Sequence, residues 1–293
     1  MKKYKGIFPA LVTPYTAGGE INGQALREIV KMNIEKRVNG FYVGGSTSEA
    51  FLLTHEERKE ILKIVSDEAR GKCTIIFHIG CINTDQAIDL AEYAQKVEVD
   101  AISSIPPFYY NFSLKEIKNY YKDIINQVDL PMIVYNFPAF SGVSFNSNNI
   151  LDLLSDERII GVKHTSYDLY QLERMKRINE NLIIYNGHDE VFLAGLAMGA
   201  DGGIGSTYNF MAEKFIMIKK LFEEGKHEDA KKLQIEANEI IKVLIEIGVI
   251  QGIKYALVLQ GIDCGITRRP FKGLNEEEKD LLHNTLTRYL NCY

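Results

Sequence analysis

Short apolar runs rich in β-branched and aromatic residues recur along the chain, and longer stretches with a helical spacing of apolar positions separate them. Runs of this kind are typical of parallel strands that are buried on both faces. They occupy residues 7–12, 40–43, 74–77, 100–104, 132–135, 159–162, 182–185 and 202–204. The pattern therefore predicts eight strands with helices between them.

Two of the intervening stretches carry a recognisable helix start. Thr54 with Glu57, and Ser113 with Glu116, fit the capping box, in which a hydroxyl and a carboxylate bind backbone N–H groups of the first turn. After Thr54 the apolar residues at 61, 62, 65 and 69 share one face, and Gly71 supplies the stop. These signals predict an amphipathic helix that packs against the strands.

The alternation of strand and helix favours a (β/α)8 TIM barrel of the α/β class, with an open doubly wound sheet as the alternative. From about residue 209 onward only helical periodicity remains, with breaks predicted at Gly248, Gly252, Gly261 and Arg269–Pro270. No linker-like tract divides the chain. We expect a single domain over 1–293, with the barrel in 1–224 and a C-terminal helical segment in 225–293.

The composition narrows the classes of function. Of 293 residues, 46% are hydrophobic and 25% charged, as in ordinary globular proteins. The net charge of -5 argues against a nucleic-acid partner. No run has the length of a signal or membrane segment. Four scattered cysteines, without a Cys-x-x-Cys pair, favour a reducing cytoplasm.

In such a barrel the reactive groups stand where strands end, and the sixth strand ends at Lys163. Burial favours the neutral amine, which is the nucleophile that forms a Schiff base with a ketone. The alternative is a lysine that extends to solvent. Tyr135 ends the neighbouring strand, where its hydroxyl could move a proton beside the amine or serve only structure.

Other polar groups follow the remaining strands. The loop from Gly44 to Thr47 offers backbone N–H groups and hydroxyls to a small anion, but it lacks the glycine spacing of nucleotide-binding loops. Asp189 and Glu190 could bind sugar hydroxyls or cap a helix. Ser206 follows a glycine-rich strand end suited to phosphate or to a hydroxyl-bearing substrate.

Three histidines, His78, His164 and His188, also fall near strand ends and leave a metal site open as an alternative. The chain has no His-x-His or His-Glu-x-x-His pair, and a histidine at a strand end is more often a hydrogen-bonded structural residue. We expect neither a metal nor an organic cofactor.

Taken together, the strand-end motifs resemble the dihydrodipicolinate synthase / N-acetylneuraminate lyase family. The resemblance covers nearly the whole chain and rests on residues 44–51, 107–110, 135–142, 161–166, 185–190 and 201–206. It implies a (β/α)8 barrel with a C-terminal helical segment, assembled as a homotetramer. Phe140 stands where the synthases place an arginine that holds a substrate carboxylate, so the resemblance favours the sialic-acid-cleaving subgroup.

The resemblance also implies a role for each matching residue. Lys163 is expected to form the Schiff base and Tyr135 to act as general acid and base, with Ser46 and a neighbouring subunit's Tyr109 as proton relay. Ser46 and Thr47 are expected to hold the pyruvate carboxylate. Thr165 is expected to orient the reacting carbon. The polyhydroxy tail is expected to bind Gly187, Asp189, Glu190 and Ser206. Ser48 departs from the glycine usual in the family, and would be strained if that position needs a positive φ.

The implied reaction is reversible aldol cleavage of N-acetylneuraminate to N-acetylmannosamine and pyruvate. The expected partners are thus these small molecules, with no nucleic acid and no membrane. Three alternatives remain at this point: another pyruvate-dependent aldolase, such as a 2-keto-3-deoxy sugar acid aldolase or a dihydrodipicolinate synthase; a non-catalytic sugar-acid-binding barrel; and a metal-dependent aldolase or hydrolase.

Overall fold

A computed structural model describes residues 1–290, so Cys292 and the end of the predicted C-terminal segment lie outside the described residues. Eight parallel strands form one sheet in the order β1-β8-β7-β6-β5-β4-β3-β2. The strands are β1 Gly6–Pro9, β2 Gly40–Val43, β3 Thr74–His78, β4 Ala101–Ser104, β5 Met132–Asn136, β6 Ile159–His164, β7 Ile183–Asn186 and β8 Gly202–Gly205.

The sheet closes on itself. A parallel bridge joins Ala10 to Tyr42, and the Leu11 amide donates to the Tyr42 carbonyl at 3.0 Å, which links the end of β1 to β2. The prediction of a TIM barrel is confirmed, and the open doubly wound sheet is wrong. Strands β3, β5, β6 and β7 extend one or two residues beyond the predicted ends, into polar residues. Strand pairing uses backbone N–H and C=O groups, so a polar side chain does not end a strand.

Twelve α-helices occur in the described part of the chain. Both predicted capping boxes are present, at Thr54 and at Ser113. The helix after Thr54 ends at Ala69, and Gly71 follows with φ +74°. The helices are α1 Gly23–Glu35, α2 His55–Ala69, α3 Thr84–Lys96, α4 Leu114–Ile125, α5 Pro138–Ser141, α6 Leu151–Leu154, α7 Leu169–Lys176, α8 Phe192–Ala197, α9 Tyr208–Glu223, α10 His227–Ile247, α11 Val249–Leu259 and α12 Glu276–Tyr289.

Alternate side chains of each strand enter two different cores. On β5, Val134 joins the large cluster between strands and helices, whereas Ile133 and Tyr135 belong to a smaller cluster that fills the barrel. The inner cluster also includes Tyr4, from an N-terminal 3-10 turn, and Tyr185 donates a hydrogen bond to the Tyr4 carbonyl. The turn therefore covers the amino-terminal end of the barrel.

Helices α10 to α12 follow the last barrel helix and pack on one another. Gly248, with φ +107°, separates α10 from α11, and Gly261 follows α11 as predicted. The break predicted at Gly252 is wrong: this residue lies within α11, where an added Cβ would come within 2.4 Å of Leu244. Residues 1–290 contain no helix long and apolar enough to cross a membrane. The division at residue 224 stays a prediction.

Candidate active site

A cavity of about 840 Å³ opens at the carboxyl ends of the strands, and residues of α10 and α11 form part of its wall. Nine of the ten predicted site residues line it, although they come from five separate strand ends. They are Ser46, Thr47, Tyr135, Lys163, Thr165, Gly187, Asp189, Glu190 and Ser206. The barrel therefore brings together groups that lie up to 160 residues apart in the sequence.

Lys163 is buried, with 5% of its surface exposed, so the alternative of a lysine that extends to solvent is wrong. Its amine lies 4.1 Å from the centre of the Tyr42 ring and 4.0 Å from that of Tyr135. Burial lowers the pKa of this amine to about 7, against the opposing effect of the Asp189 carboxylate. A substantial fraction of this amine is therefore neutral, and able to act as a nucleophile, at neutral pH.

Tyr135 and Lys163 are register partners on β5 and β6. Burial raises the pKa of the Tyr135 phenol to about 12, while the Ser46 and Thr165 hydroxyls counteract that shift. The phenol is therefore protonated at neutral pH, and two hydroxyls stand beside it. This arrangement suits a group that passes protons along a chain rather than one that stays ionised.

The loop after β2 turns sharply into two 3-10 turns at Ser46–Ser48 and Ala50–Leu52. Gly44 has φ +72°. Ser48 is not in the left-handed region; its buried hydroxyl lies 2.6 Å from that of Thr13. The left-handed residue is instead Glu49, with φ +59°. The concern about strain at Ser48 is therefore unfounded, and the unusual backbone lies one residue later.

Thr165 and Gly187 meet in the cavity wall. The Thr165 hydroxyl is buried and lies beside the Tyr135 phenol. A Cβ added at Gly187 would lie 1.9 Å from that hydroxyl oxygen. Glycine is thus required here by a close approach, and it leaves the threonine hydroxyl able to bind a ligand.

Asp189 is a buried carboxylate whose pKa burial raises to about 6. Its Oδ2 accepts from the Thr207 amide at 2.9 Å and from the Thr207 hydroxyl at 2.7 Å. Its Oδ1 has no hydrogen-bond partner in residues 1–290. Neither the 3-10 turn at Asp189–Val191 nor the following helix α8 has a side-chain cap, so the alternative that Asp189 or Glu190 caps the next helix is wrong. Asp189 instead ties the loop after β7 to the one after β8.

Glu190 belongs to an aromatic cluster at the rim of the cavity. The Tyr167 hydroxyl donates to Glu190 Oε1 at 2.5 Å, and His188 Nδ1 lies 3.5 Å from the same oxygen. The rings of Tyr167 and His188 stack at 4.3 Å, nearly parallel. The carboxylate therefore has a fixed orientation beside a flat ring surface.

The other two histidines use both ring nitrogens within the protein. His78 lies 2.9 Å from the Gly44 carbonyl and 3.3 Å from the Ile105 amide. His164 contacts the Asn136 amide and the Asp168 carbonyl. Nowhere in residues 1–290 do three His, Cys, Asp or Glu side chains gather as metal ligands. His78 and His164 match the structural alternative.

Tyr109 is the predicted site residue that the structure does not bring into the cavity of its own chain. The residue is 83% exposed, and its ring packs against that of Tyr110. Its backbone has φ +78°. Phe140 lines the mouth of the cavity, but it is 65% exposed and stacks on Phe137 at 4.2 Å. A charge at position 140 would therefore not be buried within the single chain.

Sequence reasoning missed three residues at the site. Tyr42 lies on an inward position of β2, two residues before the glycine loop, and strand alternation was the signal that could have found it. Glu49 and Lys254 form a buried ion pair of 2.6 Å across 205 residues. Only the fold reveals this contact, because Lys254 resembles any other lysine of a helix.

Comparison with known proteins finds a family that matches nearly the whole chain. Residues 3–289 match the model of the dihydrodipicolinate synthetase family. "N-acetylneuraminate lyase 2" of Escherichia coli O6:H1 is 44% identical over 285 residues, which cover 96% of this chain and 92% of that protein.

Two solved structures are similar along nearly their full length. One is CdNal from Clostridium difficile, in complex with mannosamine, with a TM-score of 0.95, 38% identity and coverage of 98% of this chain and 99% of that one. The other is the N-acetylneuraminate lyase of Fusobacterium nucleatum, complexed with pyruvate, with a TM-score of 0.94, 36% identity and coverage of 99% and 98%.

Proposed function

The chain belongs to the dihydrodipicolinate synthetase family, and from that premise we propose that it is an N-acetylneuraminate lyase. It cleaves the sugar acid reversibly to N-acetylmannosamine and pyruvate, as a class I aldolase. The register pairing of Tyr135 with the buried amine of Lys163, whose pKa is lowered to about 7, is the observation that carries the proposal.

The first step is attack of the neutral Lys163 amine on the C2 ketone of the open-chain substrate. Ser46 and Thr47 bind the adjacent carboxylate through hydroxyls and the exposed amides of their turn. Loss of water gives a protonated imine, which accepts the electron pair of the C3–C4 bond when that bond breaks. A cation held in this apolar site is a stronger electron sink than it would be in water.

The C4 hydroxyl must lose its proton as the bond breaks, and Tyr135 receives that proton. Because its pKa is about 12, the phenol passes its own proton in the same step through the nearby Ser46 hydroxyl toward Tyr109 of the neighbouring subunit, and the same relay then returns a proton to C3 of the enamine. Protonation of the enamine and hydrolysis of the imine then release pyruvate. The same steps in reverse join pyruvate to the sugar.

The polyhydroxy tail lies toward the rim of the cavity. Thr165 offers its hydroxyl near the reacting carbon, and Asp189 offers its carboxylate to the sugar hydroxyls. Gly187, Glu190 and Ser206 complete the wall that faces the sugar. Carboxylates and hydroxyls of this kind recognise sugar hydroxyls by directed hydrogen bonds.

Assembly into a homotetramer is what the family resemblance implies, and the adjacent exposed rings of Tyr109 and Tyr110 offer a contact surface for it. In that assembly Tyr109 of one subunit completes the proton relay of the next. Light scattering gives the mass of the assembly, and a monomeric active enzyme would contradict this part of the proposal. We place the enzyme in the cytoplasm, where the free thiols Cys73, Cys81 and Cys264 stay reduced.

The function is tested by incubating the protein with pyruvate and borohydride and locating the reduced adduct by mass. We expect the adduct on Lys163 and none in Lys163→Ala. Pyruvate release is then measured from N-acetylneuraminate and from 2-keto-3-deoxy sugar acids. An adduct together with a strong preference for the latter would move the chain to another pyruvate-dependent aldolase, and binding without turnover would indicate a sugar-acid-binding barrel.

A further inference from the structure

The C-terminal segment reaches into the candidate active site through a buried ion pair. Lys254 of α11 donates to Glu49 Oε1 at 2.6 Å, and the exposed fractions of the two side chains are 2% and 0%. The Arg268 amide donates to the other carboxylate oxygen at 2.7 Å. Both oxygens of Glu49 are thus bound by residues from beyond the barrel.

Glu49 occupies the point at which the anion-binding turn is fixed. Its amide donates to the Ser46 carbonyl, and its own carbonyl accepts from the Leu52 amide, so it joins the two 3-10 turns. A non-glycine residue at φ +59° persists only where its surroundings hold it. The bonds from Lys254 and Arg268 supply that support.

The charge of Glu49 also matters to the site. Glu49 borders the cavity three residues after Ser46, on the turn that would receive a substrate carboxylate. A buried carboxylate without a counter-charge would repel a second one, strongly so in a medium of low dielectric constant. Lys254, which does not itself line the cavity, is the counter-charge of Glu49, and its amine also lies 4.1 Å from the centre of the Tyr15 ring.

We propose that Lys254 is a positioning residue of this reaction: through Glu49 it fixes the Ser46–Thr47 turn and cancels the charge that would repel the keto-acid carboxylate. The C-terminal helices are therefore part of the apparatus that selects an anionic ketone. The inference rests on the proposed function, because it assumes that this turn receives the carboxylate of pyruvate.

The test compares pyruvate with methyl pyruvate, an uncharged ketone, in borohydride trapping on Lys163. The quantity measured is the ratio of their trapping efficiencies. We expect Lys254→Met to lower the preference for pyruvate at least tenfold and Glu49→Gln to raise it. The Glu49→Gln/Lys254→Met double variant should return the preference to within about threefold of the wild-type value. Opposite shifts of this kind do not arise from loosened packing.

A matched control lies at the other end of the barrel. Lys176 bonds Asp201 at 2.8 Å, far from the cavity wall, and Lys176→Met should lower the melting temperature without changing the ratio. If Lys254→Met does not fold, the test rests on Glu49→Gln. A ratio of pyruvate to methyl pyruvate trapping that is unchanged or lowered in this variant overturns the inference. A double variant as poor as Lys254→Met overturns it as well. Wild-type protein that traps no pyruvate on Lys163 would instead overturn the proposed function.

Discussion

Lys163 lies directly across from Tyr135 on the neighbouring strand, with its amine 4.0 Å from the centre of the tyrosine ring. Tyr42 flanks the amine at almost the same distance. Burial beside these two rings lowers the pKa of the amine to about 7. The same two aromatic rings therefore provide both the burial and the reactivity of the lysine.

Enclosure of the amine has a cost in stability, which Lys163→Met should recover. The unfolded chain binds a proton on Lys163 more tightly than the folded one does. We expect the variant to lose all pyruvate release while its free energy of unfolding rises by up to about 4 kcal/mol at pH 7. Denaturant titration measures this gain, which should shrink toward pH 10 as the amine of the unfolded chain also becomes neutral. An inactive variant less stable than the wild type would contradict the account.

The pH dependence of cleavage should follow the same amine. Only its neutral form attacks the ketone, so kcat/KM should fall about tenfold per pH unit below about pH 7 and level off above it. Protonation of Asp189 should steepen the fall below about pH 6. Initial rates of pyruvate release between pH 5 and about 9 check this expectation. A flat profile through pH 7 would show that the amine is not the titrating group.

Gly187→Ala should disable the site without unfolding the protein. The new Cβ would force the Thr165 hydroxyl to move, since the two atoms would otherwise lie 1.9 Å apart. Displacement of a substrate-positioning group by about 1 Å can cost roughly 100-fold, which is the loss of kcat/KM expected here. Gly18→Ala is the control, because a Cβ there meets only Thr16 at 3.6 Å. Equal activity of the two variants would remove Thr165 from the site.

Phe140→Arg should weaken substrate binding only moderately. Phe140 is 65% exposed, so the arginine would reach solvent, and the main loss is the contact with Phe137. We expect the KM for N-acetylneuraminate to rise roughly threefold to tenfold with little change in kcat. Phe140→Leu keeps an apolar side chain, so its KM should lie between that of the wild type and that of Phe140→Arg. A collapse of kcat would show that residue 140 approaches the reacting atoms.

Tyr167→Phe should separate recognition of the sugar tail from the chemistry at the lysine. The variant keeps the ring stacked on His188 but loses the bond that orients Glu190. The KM for the sugar acid should rise about fivefold, whereas trapping of pyruvate should not change. Tyr170→Phe is the control at an equally exposed tyrosine. Weaker pyruvate trapping in Tyr167→Phe would place this cluster at the carboxylate end.

Much of this architecture is predictable from local sequence, because buried parallel strands leave a simple apolar signature. The run at 159–162 marks β6, and Lys163 stands out at its end for that reason. The contact between Glu49 and Lys254 leaves no comparable signal, since it depends on how α11 packs 205 residues away. The orientation of Tyr167 toward Glu190 cannot be predicted from the sequence either, because a tyrosine in a loop belongs to no periodic pattern.

Tyr4 and Tyr185 help to fill the amino-terminal end of the barrel, and the cavity lies at the opposite, carboxyl-terminal end of the strands. In the proposed reaction the keto-acid half of the substrate stays bound to Lys163 as an imine while the sugar half is cleaved off. Departure is therefore sequential: the sugar leaves first, and pyruvate follows once water has released it. Pyruvate should accordingly compete with the sugar acid for the empty enzyme.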